Sequence, residues 1–205
     1  MSLLKKEVVF ELSRGELLNS NAMPNHYIVK SKIASNLRNM AADIGVLEHI
    51  DPIKAQERLN AINHEAEIAT AKARTRKRMN KKGESEEAIK EELDKIDLLH
   101  HEVKSSEIKC PFLFEKFKVV VTVCPPSKRR FDPPNLYPTI KHLIDGFTDS
   151  SWWEDDQYTN LLEMSFRYGG LSGSKDKFKI ILNFEEVTEN DINQYIINPE
   201  LMTEE

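Results

Sequence analysis

The sequence predicts an α+β fold: a small mixed β-sheet backed by helices, with a charged helical hairpin inserted into it. Three observations lead there. Segments near both ends of the chain alternate apolar and polar residues with the period of a strand, as Val8, Phe10 and Leu12 do against Glu7 and Glu11. Two segments, 28–44 and 136–149, instead repeat apolar residues at three- and four-residue spacing. Between them, residues 51–106 are dense in Ala, Glu, Lys and Arg, unlike either flank. A chain of 205 residues has room for one domain of ordinary size and an appendage.

In chain order, residues 7–12 are expected to form the first strand, and Arg14-Gly15-Glu16 turns it. Residues 17–27, with Asn19, Ser20, Asn21 and Asn25, suggest a fixed loop in which side chains bond to backbone. Helix 28–44 turns Ile33, Leu37, Met40, Ala41 and Ile44 inward and keeps Lys30, Lys32 and Arg38 on its polar side. Asp51-Pro52 starts a long helix in which Lys72 to Lys82 carries seven basic residues and no acid. Lys82-Gly83-Glu84 ends it, Ser85 caps a second helix reaching Val103, and Ile89, Leu93, Ile96 and Leu99 give that helix a narrow apolar stripe. This hairpin reads either as a solvated, salt-bridged pair or as an arm for DNA or for a second subunit. Residues 113–124 make a strong strand, and the glycine-rich run 169–174 is expected to join strands 157–168 and 176–184 as a hairpin. The tail from Thr188 is polar and acidic, with an apolar island at Tyr195-Ile196-Ile197. The resulting division is a principal domain of 1–50 and 107–187, an insertion at 51–106, and a tail at 188–205.

Formal net charge is −5, so any contact with a polyanion must come from local basic patches. Cys110 and Cys124 stand outside any zinc-ligand spacing and are expected to be reduced thiols. No apolar run approaches membrane-spanning length, and the N-terminus lacks the apolar core of a signal peptide, so a soluble intracellular protein is expected.

The chemistry concentrates between Pro125 and Tyr168. A basic cluster, Lys128, Arg129 and Arg130, leads into Asp132; Lys141 and Asp145 share a helix face one turn apart; Trp152 and Trp153 precede Asp155 and Asp156. Gly146 is expected to let the helix fray. Cations for a phosphodiester backbone beside hard oxygen ligands for Mg²⁺ are the parts of a metal-dependent nuclease site. The four aspartates are expected to converge on one point. A blander account stays open: Lys141 and Asp145 as a surface i,i+4 pair, the tryptophans as core.

Arg130-Phe131-Asp132-Pro133-Pro134-Asn135-Leu136, Lys141-His142-Leu143-Ile144-Asp145 and Trp152-Trp153-Glu154-Asp155-Asp156-Gln157 together resemble the RusA family of Holliday junction resolvases, mainly phage and prophage enzymes. Pro134 stands where many members carry a second aspartate, and Asn135 lies farther from Lys141 than in the short form of the motif. The 51–106 insertion is outside the family's minimal unit.

The resemblance implies an Mg²⁺-dependent endonuclease, with Mn²⁺ as a substitute, that cuts a four-way DNA junction as a homodimer in the cytoplasm of a bacterial host. It implies Asp132, Asp145, Asp155 and Asp156 as metal ligands and catalytic groups. Lys141 would lie at the scissile phosphate. Lys128, Arg129, Arg130, Asn135, Lys30, Lys32 and Arg38 would lie along the DNA. A branched-DNA-binding protein without cleavage, and a regulatory module built around the hairpin, are the alternatives.

Overall fold

A computed structural model of the chain describes residues 3–99 and 104–188. Its elements run β1 (Lys5–Ser13), α1 (Tyr27–Leu47), α2 (Pro52–Lys82), α3 (Glu86–Leu99), β2 (Phe117–Cys124), α4 (Tyr137–Asp149), β3 (Leu161–Tyr168) and β4 (Lys177–Glu186). The predicted tail and the expected end of the second hairpin helix lie largely outside the described residues. Among those described, no helix is long and apolar enough to cross a membrane.

The four strands form one mixed sheet in the order β1-β4-β2-β3. β4 is antiparallel to both β1 and β2, while β2 and β3 run parallel and are joined by α4. Parallel neighbours need a crossover of this kind. One face of the sheet, with Phe10, Leu12, Val119, Val121, Ile180 and Leu182, is buried in a single core with α1 and α4. Small mixed sheet backed by helices is therefore the architecture.

The expected hairpin of the last two strands does not form. β3 and β4 lie on opposite sides of β2, and the glycine-rich run passes over the end of that strand: Gly169 N donates to Val123 O, and Ser172 N to Pro125 O. β2 is the most buried strand and takes the centre, whereas β3 is only half-buried and takes an edge. Two boundaries also shift. Residues 113–116 are not strand, because Leu113 N and Phe114 N both donate to Trp152 O. Residues 157–160 form a turn before β3, with Asn160 N and Leu161 N donating to Gln157 O.

Gly146 does not fray α4; the helix continues to Asp149. A Cβ at Gly146 would fall 2.2 Å from Arg38 O and 2.7 Å from Ala41 Cβ, so glycine lets α1 and α4 cross nearly backbone to backbone. Gly45 of α1 answers with the same lack of room, against Ser150 and Phe147.

The insertion leaves this body at one root. Asp51 caps α2 by accepting from Lys54 N, with Pro52 in the first turn. Ala55 and Leu59 bury against Ala42, Val46 and Cys110. α2 ends at Gly83, whose φ of 73° is the left-handed value that closes a helix, and α3 returns beside it. Lys72 pairs with Asp97 and Arg76 with Glu86 across the two helices.

Candidate functional site

The parallel pairing of β2 and β3 decides where the acids go. The exit of β2 and the start of β3 lie at opposite ends of the parallel strands, and α4 runs back between them. Asp132 follows the first; Asp155 and Asp156 precede the second.

Along the middle of α4 the helical repeat stacks Lys141 over Asp145. Lys141 Nζ lies 2.5 Å from Asp145 Oδ1 and 2.5 Å from Asp156 Oδ2, so one ammonium bridges two carboxylates. His142 Nδ1 is 3.5 Å from the other oxygen of Asp145. Both aspartate side chains are about one-fifth exposed (20% and 18%), which leaves the cluster reachable from solvent. Burial lowers the pKa of Lys141, but its hydrogen bonds to the two carboxylates and their charge outweigh it and raise the pKa overall.

Arg38 of α1 closes the same side of α4. Its Nε and Nη2 donate to the two oxygens of Asp149, at 2.5 and 2.7 Å, in a bidentate fork. That bond holds the guanidinium pKa up, against burial, and the charges of Asp149, Asp145 and Asp156 add to it. Arg38 thus belongs to the carboxylate end of α4, while Lys30 and Lys32 of the same helix remain exposed.

Asp156 is placed by the segment before it. Trp152 and Trp153 have no exposed surface: Trp153 stacks on Phe117 at 4.0 Å and donates to Thr148 Oγ1, and Trp152 donates to Gly45 O. They are core anchors, with no face open to a base. Asp155 is exposed and turns back on the chain, accepting from Asp156 N at 2.8 Å.

Asp132 precedes α4, at the head of the 3₁₀ turn Pro133–Leu136. With Arg130 and Asn135 it lines a cleft of about 440 Å³, whose opposite wall is Asn19, Asn21 and Ala22 of the asparagine-rich loop. The two walls are stitched together. Ser20 N donates to Asn135 O, Leu18 N donates to Thr139 Oγ1, and the Thr139 hydroxyl donates back to Leu18 O. Thr139, fully buried, is a positioning residue that no pattern in the sequence singles out. Arg129 opens into a separate cleft with Arg14 and Lys175, two further cations that only the tertiary fold brings near; Lys128 is exposed nearby in sequence.

The expected convergence of four acids is thus partial. Asp145 and Asp156 meet on Lys141; Asp155 reaches Asp156 only through the backbone N–H of Asp156, and no hydrogen bond or ion pair between described residues joins Asp132 to any of them. No three His, Cys, Asp or Glu side chains among the described residues are grouped so as to hold a metal ion. Two carboxylates do suit Mg²⁺, which commonly takes one or two and completes its shell with water and phosphate. Lys141 Nζ, shared between them, shows that the two carboxylates face one common cation. No protein-family model matches the chain, and no curated protein matches it.

Proposed function

We propose that the protein is a metal-dependent endonuclease of RusA type acting on branched DNA, with its reacting centre at Asp145, Asp156 and Lys141. The observation that carries this reading is the bridge of Lys141 Nζ between two aspartates fifteen positions or fewer along the chain, at 2.5 Å each. A lysine poised on a pair of carboxylates is the arrangement that the K-x-x-x-D and aspartate-pair segments imply in the resembling family.

Asp145 and Asp156 would hold Mg²⁺, which when bound activates water and offsets charge on the phosphate. The remaining roles fall to the chain. Lys141 stays charged at neutral pH, because its pKa is raised, and its ammonium is a phosphate ligand rather than a base. Arg38 and Asp149 fix α1 against the end of α4, so the pair of carboxylates keeps its spacing. Arg129 and Arg130, exposed beyond β2, hold the sugar-phosphate backbone farther out. A homodimer would match the two-fold symmetry of a four-way junction.

A second reading, a branched-DNA-binding protein that does not cut, is favoured by the placement of Asp132 in the asparagine cleft and by Pro134 beside it. One pair of assays separates them. A labelled four-way junction and a linear duplex are incubated with the protein with and without Mg²⁺. The enzyme makes paired nicks in the junction only with the metal, and Asp156→Asn reduces nicking on the order of 100-fold while retaining the band shift. A parent protein that shifts the junction and never nicks it establishes the second reading.

A further inference from the structure

The arm formed by α2 and α3 takes no part in that chemistry. We infer that the outward face of α2 is a second nucleic-acid contact: a stripe of Arg74, Lys77, Arg78, Lys81 and Lys82 that holds DNA phosphates on the side of the arm turned toward α1. The choice of DNA as the polyanion rests on the reading of the body given above; the site rests on the arm's own residues.

α2 is buried only at its root, by Ala55 and Leu59. From Asn60 to Lys82 it then extends for about 34 Å. Along this stretch Ile68, Lys72, Thr75 and Met79 are half-buried at helical spacing, on the side where Lys72 pairs with Asp97 of α3. The seven cations between Lys72 and Lys82 divide accordingly. Lys72 and Arg76 are spent on α3, through Asp97 and Glu86. The other five are exposed and form no ion pair with any described residue. At about 100° per residue they fall within an arc of about 140° that excludes Lys72 and Arg76. Attraction to the helix C-terminus accounts for Lys81 and Lys82 only, since that field is confined to the last turn.

This face continues into a polar cleft of about 770 Å³ between α1 and α2, where Arg74 stands with Ser35 and Asn39 of α1 and Asn63 and Thr70 of α2. Two acids, Asp43 and Glu67, also line the cleft. Lys32, exposed on α1, is one turn from Ser35 on the same face. The stripe carries no large apolar or aromatic side chain. A protein partner needs such an anchor at the centre of its interface, whereas a phosphate backbone needs only exposed lysine and arginine. In a chain of net charge −5, a patch of one sign is also the only means of attracting a polyanion.

The test is fluorescence anisotropy of the intact chain with a labelled four-way junction and a labelled duplex over a KCl series. Replacing the five cations together (R74Q, K77Q, R78Q, K81Q, K82Q) should weaken binding at least about tenfold and lower the slope of log K against log salt by about 3–4, near 0.9 per lost phosphate contact. The control K72Q with R76Q removes the cations facing α3 and should leave the slope unchanged. An unchanged slope in the five-fold variant, with the parent's circular-dichroism melting curve, overturns the proposal, as does an equal loss in the control. Binding to poly-glutamate as tight as to duplex, and equally dependent on the five residues, assigns the stripe to an acidic protein and also overturns it. Nicking is scored separately on the same junction. An arm-dependent slope without nicking keeps the stripe and removes the endonuclease reading; nicking with an arm-independent slope does the reverse.

Discussion

At Lys141 a single ammonium answers two carboxylates that arrive from a helix and from a loop. Take it away and Asp145 and Asp156 face each other with like charge, which costs free energy until a proton or a cation intervenes. The folded pKa of Lys141 is raised, so its contribution is complete below the unfolded lysine value near 10.4 and is lost as pH rises through the folded value. Lys141→Met should therefore lower stability at pH 7 by about 1 kcal/mol, a modest figure because the side chain is 39% exposed and screened. It should also flatten the alkaline limb of a melting-temperature profile. Millimolar Mg²⁺ should raise the melting temperature of the variant more than that of the parent, since it no longer competes with a lysine. An equal or absent Mg²⁺ shift in both proteins would remove Asp145 and Asp156 as metal ligands. In the sequence, the spacing of Lys141 and Asp145 already placed them on one face. The capture of Arg38 by Asp149 was not legible, because their partnership spans 111 positions and exists only where two helices touch.

That contact between α1 and α4 is an element-scale property, made by Gly45 and Gly146 together. A methyl group at position 146 would lie 2.2 Å from the backbone oxygen of Arg38, and backbone cannot rotate aside as a side chain can. Gly146→Ala should cost about 1–3 kcal/mol in urea denaturation despite alanine's better helix propensity. The crossing angle should open as well, loosening the fork from Arg38 to Asp149; a variant as stable as the parent would show that the helices are free to separate. Read as sequence, a glycine near a helix end suggests a stop, and only the neighbouring helix reveals a crossing. The strands teach a similar lesson. Alternation marked each one and told which side faces the core, but period two carries no information on which strand lies beside which. Hence β3 and β4 were recognisable as strands while β2, between them, was not recognisable as their separator.

On the scale of the whole molecule, the core cluster of sheet, α1 and α4 includes no residue of α2 or α3. The arm closes on itself where Ser105 N and Oγ donate to the two carboxylate oxygens of Glu65, at 2.8 and 2.9 Å. Those residues are natural splice points. Replacing 66–104 by a short Gly-Ser linker should leave the melting temperature of the body within a few degrees of the parent; collapse of the fold would mean that the arm supports the core. The composition of 51–106 made the insertion visible in the sequence, since a run dense in Ala, Glu, Lys and Arg has only a narrow apolar stripe to bury. What the composition could not tell is how the arm is seated. His49 Nε2 donates to Ser151 O, and Arg58 Nη1 donates to Ser151 Oγ, so the base of α2 is fastened to the residue directly before the two core tryptophans. Because α2 is one unbroken helix, it acts as a lever with its fulcrum there: a tilt of about 10° at Leu59 sweeps Lys82 through about 6 Å.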